Sequence, residues 1–88
     1  MDLVNHTEAL KYYEKTLTSK YFDNLLKIDP TDHAALEGKG EVLAGIGNYP
    51  LAIHYYEQAL VVSPINVELF HDIANALSKL AECLHFHA

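Results

Sequence analysis

The sequence predicts an all-α fold of antiparallel helix pairs stacked side by side, four to five helices in one domain spanning 1–88, and three observations carry that expectation. Pro30 and Pro64 stand 34 residues apart in matching settings: Ile28-Asp29-Pro30-Thr31-Asp32 followed by Leu36, and Val62-Ser63-Pro64-Ile65-Asn66 followed by Phe70. A period of that length with a proline at each junction marks stacked two-helix units. Between the prolines, Leu36, Leu43, Ile53, Tyr56 and Leu60 recur at helical spacing, which gives apolar faces able to close on one another. Ahead of Pro30 there is neither glycine nor proline, so a long helix fits there.

The first segment, 5–30, opens with Asn5-x-x-Glu8, a candidate capping box. Leu10, Tyr13, Leu17, Tyr21, Leu25 and Ile28 form an apolar stripe along it, while Thr16, Thr18 and Ser19 are poor helix formers that mark a candidate break. The segment is therefore one helix or two. Ala9-Leu10-Lys11-Tyr12-Tyr13-Glu14 nearly repeats Ala52-Ile53-His54-Tyr55-Tyr56-Glu57, but at a spacing of 43. Phe22 and Tyr56 keep the 34-residue spacing, which puts the in-register helix at 19–28 and leaves the earlier block as an extension or a degenerate first helix.

The central unit, 33–66, is two helices joined by Gly45-Ile46-Gly47-Asn48. Asn48 can cap the second helix, and Pro50 falls in its first turn, where a missing backbone donor costs little. Gly40, Ala52 and Ala59 are small where two helices must approach closely. Gly38 with Gly40 and Gly45 with Gly47 do not form a phosphate loop, since no Gly-Lys-Ser/Thr follows and no strand precedes. The last segment, 67–86, begins after Asn66, a second candidate cap. Leu69, Phe70, Ile73, Ala74, Leu77, Leu80, Ala81 and Leu84 cover an arc too wide for a single neighbouring helix. Leu69, Ile73, Leu77, Leu80 and Leu84 are accordingly expected to support self-association, with a homodimer as the simplest form.

Leu36, Gly40, Leu43, Gly47, Tyr49, Ala52, Tyr56, Ala59 and Pro64 together resemble the tetratricopeptide repeat (TPR). Residues 33–66 match one full unit, and partial units flank it. Lys39 stands where the family pattern has leucine, which is expected to weaken one core contact. The resemblance implies a short right-handed α-solenoid that binds other proteins without catalysing a reaction. It also implies a groove lined by the inner faces of the first helices, here Ala34, Glu37, Glu41 and Ala44, then Glu68, His71, Asp72, Asn75 and Lys79.

That groove would be mainly acidic. Glu37 with Glu41, and Glu68 with Asp72, are like charges four apart on shared helix faces, a repulsion that a basic peptide or protein would relieve. Chaperone-binding members of the family grip a C-terminal carboxylate with lysine, arginine and asparagine. Only Asn75 and Lys79 could take part here, so that specialisation is not expected.

Composition narrows the classes further. Eighty-eight residues allow one small domain with a modest core. Half of them are apolar and a fifth charged, which fits a folded chain rather than a disordered one. Four lysines meet four acids in residues 1–28, against two lysines and eight acids from Asp29 onward, so all the net negative charge lies in the repeat region. There is no arginine, the preferred fork for phosphates, and neither nucleic acid nor an anionic membrane is an expected partner. No apolar run approaches a membrane span and the N-terminus does not read as a signal peptide. With one cysteine, Cys83, the expected compartment is cytoplasmic.

No nucleophile with a base and an orienting group is recognisable, so enzyme activity is not expected. His71 and Asp72 are neighbours in sequence and do not face each other on a helix. Cys83, His85 and His87 cannot all face one way on a regular helix, and no metal or other cofactor is expected. His33 and His54 read as surface residues near the repeat ends.

Overall fold

A computed structural model describes residues 3–87, with side chains from 7 to 84. It is all-helical: α1 (Leu3–Ile28), α2 (His33–Gly45), α3 (Tyr49–Val62) and α4 (Val67–His87), with no strand among the described residues. Each helix packs chiefly against its neighbours in the chain, α1 on α2, α2 on α3 and α3 on α4.

The two turns that follow α1 and α3 are built alike. Asp29 N–H donates to Leu25 C=O and Ser63 N–H to Ala59 C=O, both at 2.9 Å. On the far side, Asp32 Oδ1 accepts from Ala35 N–H at 3.2 Å, and Asn66 Oδ1 accepts from Leu69 N–H at 3.3 Å. Each pair of bonds is separated by the same 34 residues as the prolines, so the sequence period is also a backbone period. The α2–α3 turn uses different chemistry. Gly47 N–H donates to Ala44 C=O and Asn48 N–H to Leu43 C=O, the paired bonds of a Schellman ending, and Gly47 supplies the positive φ of 89° that this ending needs. Asn48 then caps α3 by accepting from Leu51 N–H.

α1 is one uninterrupted helix, and the candidate break at Thr16–Ser19 does not occur. Thr16 Oγ1 and Thr18 Oγ1 each donate to the carbonyl four residues back, at 2.9 Å, so their hydroxyls are satisfied within the helix instead of competing with it. The described helix already includes Leu3, so Asn5 lies within it rather than ahead of it; the capping box therefore does not mark the start, and the Asn5 side chain lies outside the described residues.

The rotation of α1 also departs from expectation. Leu10, Tyr13, Leu17, Tyr21 and Ile28 of the apolar stripe are exposed. The face turned to α2 is instead Lys15, Ser19, Phe22, Asp23 and Leu26. The Phe22 ring occupies the space a Cβ on Gly38 would need. Lys39, only 8 % exposed, donates to Ser19 Oγ and lies 3.0 and 3.1 Å from the two Asp23 carboxylate oxygens. Where the resemblance implied a weakened leucine contact, Lys39 makes an ion pair between helices. Lys15 Nζ donates to Gly45 C=O at 2.9 Å, placing a cation at the C-terminus of α2, where the helix dipole favours it.

The core is one cluster of Leu36, Leu43, Ala52, Tyr56, Ala59, Leu69 and Ala76, with Leu26, Ile53, Leu60 and Ile73 packed against it. Gly40 has no side chain because the Tyr56 ring lies where one would be, 2.5 Å from a Cβ position. On α4, Leu69 is wholly buried and Ile73 packs on the cluster, so these two expected self-association residues are committed to the protein's own core. Leu80 is half-buried, while Phe70, Leu77 and Leu84 are exposed. No helix among the described residues is long and apolar enough to cross a membrane.

Candidate partner-binding cleft

Helix spacing puts Glu37 and Glu41 one turn apart on α2, and the α3 linkage brings Asp72 of α4 up to them. One carboxylate oxygen from each of the three lies within 4.8 Å of the others. A cleft of about 470 Å³ opens beside them, lined by Glu41, Val67, Glu68, His71 and Asp72. Among the described residues no lysine pairs with Glu41, Glu68 or Asp72. Lys39 is spent on Asp23, and Lys79 lies 3.8 Å from Glu82.

The electrostatic consequence is visible in two groups. Burial and the charges of Glu37, Asp72 and Glu68 together hold the Glu41 carboxyl above its ordinary value of 4.5. Tyr56, 3 % exposed, has its hydroxyl pushed up to about 12, by burial first and then by Asp72, Glu41 and Glu37. Repulsion between two carboxylates at this separation is of order 3 kcal/mol at the effective dielectric of a protein surface, before salt screening. Such a site favours cations.

His33 contributes more than a surface histidine would. It is half-buried at the start of α2, with Nε2 3.2 Å from the Asn66 amide nitrogen and 3.4 Å from Glu37 Oε2, and its Nδ1 is buried without a partner. An unprotonated Nε2 accepts from the Asn66 amide and so ties the first turn of α2 to the cap of α4. The signal missed was the 33-residue spacing of His33 and Asn66, nearly one repeat. His54 is exposed and hydrogen-bonded to Gln58 at 2.9 Å.

The other expected groove residues divide. Ala34 is exposed, and Ala44 packs against the core. Asn75 and Lys79 are exposed farther along α4 and do not line the cleft. Cys83 is exposed and unpaired, and the His85 and His87 side chains lie outside the described residues. The Glu37, Glu41 and Asp72 oxygens are of the kind that hard divalent cations take, but three ligands are half or fewer of a calcium shell. No protein-family model matches the chain, and no curated protein matches it.

Proposed function

We propose that the chain is a TPR-like interaction module, without catalytic activity, that takes a basic peptide or protein segment across the face where α2 and α4 meet. The observation that carries this reading is the convergence of Glu37, Glu41 and Asp72 within 4.8 Å with no lysine among the described residues to offset Glu41 or Asp72. A lysine side chain entering the cleft would offset the neighbouring carboxylates that, after burial, raise Glu41, and would meet Glu68 and Asp72 on the opposite wall. The apolar part of its stem would lie along Val67. Affinity in such a site comes largely from charge, so it should fall as salt rises.

Charge reversal tests this directly. Glu37→Lys with Glu41→Lys should abolish binding of a lysine-rich peptide measured by fluorescence anisotropy, while far-ultraviolet circular dichroism stays unchanged. Unaltered affinity in the reversed protein would sink the proposal.

A further inference from the structure

The two halves of the α2–α3 interface occur a second time in this molecule, and both second copies are bare. Adding the 34-residue period to the α2 residues that α3 covers gives the matching residues of α4. Leu36 and Leu43 are 3 % and 6 % exposed, whereas their counterparts Phe70 and Leu77 are 56 % and 50 % exposed. Ala74, the counterpart of Gly40, is exposed as well. At the other end of the stack the Ala52–Glu57 block of α3 has its near-repeat in Ala9–Glu14 of α1. Ala52 and Tyr56 are buried against α2, while Ala9 and Tyr13 lie in the open. One end of the protein presents an α2-type face with nothing on it, and the other presents an α3-type face with nothing on it.

We propose that these faces meet between copies: the outer face of α1 in one molecule docks on the outer face of α4 in a second, forming in trans a helix pair of the α2–α3 kind. The occupant is argued from the molecule's own contents, since the pairing is one this chain already makes internally. Charge agrees, because α1 carries four lysines against three acids and α4 three acids against one lysine. The positions flanking the α4 stripe are Ile73 and Leu80 on one side and His71 and Ser78 on the other, so on the α4 side covering it buries no fixed charge. The contact is heterologous. Each pair keeps one free face of each kind, so association continues to chains or closes into a ring instead of stopping at a symmetric dimer.

The test uses two surface variants, Leu10→Ser/Tyr13→Ser on α1 and Phe70→Ser/Leu77→Ser on α4. All four side chains are at least half exposed, and circular dichroism checks that folding is retained. Should either double variant melt, Ala9→Glu and Ala74→Glu, single changes at exposed helical positions, replace them. Sedimentation equilibrium of the wild-type chain is expected to show mass rising with concentration past two copies. Each variant alone should associate roughly tenfold more weakly or worse, and an equimolar mixture of the two should form a one-to-one pair that grows no further, since only one competent pair of faces remains. A wild-type protein that stays monomeric, a mixture that fails to pair, or an α1 variant that assembles like the wild type would each overturn the proposal; the last would mean that α4 faces pair with each other. None of these substitutions touches Glu37, Glu41 or Asp72, so failure here leaves the peptide cleft standing, and failure of the cleft leaves this contact standing.

Discussion

Lys39 and Gly40 are adjacent in sequence and solve opposite problems. Lys39 points at α1 and must find an anion, which it does in Asp23, with Ser19 taking another of its protons. Removing one partner of such a pair costs more than removing the pair, because the lysine is left buried and unpaired. Asp23→Ala is expected to destabilise the fold by about 1–3 kcal/mol, Asp23 being partly exposed, whereas Lys39→Leu should cost less and can be neutral; urea unfolding distinguishes them. Gly40 points at α3, where the Tyr56 ring lies 2.5 Å from the Cβ position. Gly40→Ala gains roughly 1 kcal/mol of helix propensity but must displace a ring, so a net loss of about 1–2 kcal/mol is expected, read as a lower urea midpoint. The role of Gly40 was legible from its place between helical apolar positions. That of Lys39 was not, because its partner lies on another helix at a distance that no local spacing encodes.

At the scale of the elements, turns were the most readable feature. The turns at Pro30, at Pro64 and at Gly45–Asn48 are closed by bonds within a few residues, which is why sequence alone located them. Helix rotation was less readable. α1 and α4 each carry more apolar positions than one neighbour can cover, and which of them turn inward is decided by the Phe22–Gly38 and Leu69 contacts. The α2–α4 meeting has a pH signature. Tyr56 holds its proton to about 12 when folded, against an ordinary 10.0, so stability is intact below that ordinary value and falls as pH rises through the interval. About 2–3 kcal/mol is at stake for a two-unit shift, and Tyr56→Phe should remove that slope in urea midpoints collected across the alkaline range. Glu41 acts in the same sense at low pH. Its raised value means that stability falls as pH climbs from 4.5 toward the folded-state value, and a bound cation should reverse this.

The molecule as a whole is a short stack, 46 × 35 × 18 Å across its Cα atoms, whose middle is well packed and whose two end helices each show an uncovered apolar face. Four of its acids, Glu37, Glu41, Glu68 and Asp72, gather where α2 and α4 meet, and that gathering was foreseeable from the i,i+4 acids on each helix. That Asn75 and Lys79 would lie apart from the other expected groove residues was not foreseeable. Asp72 joins Glu37 and Glu41, while Asn75 and Lys79 fall away along α4. The most direct check is a nuclear magnetic resonance titration of the labelled chain with a lysine-rich peptide, run at low and high salt beside an acidic peptide of equal length. The account predicts saturable shifts centred on Glu41, Glu68, His71 and Asp72 with the basic peptide alone, weakened by salt and absent in the Glu37→Lys/Glu41→Lys protein. Shifts of equal size with the acidic peptide, or binding that survives the reversal, would contradict it.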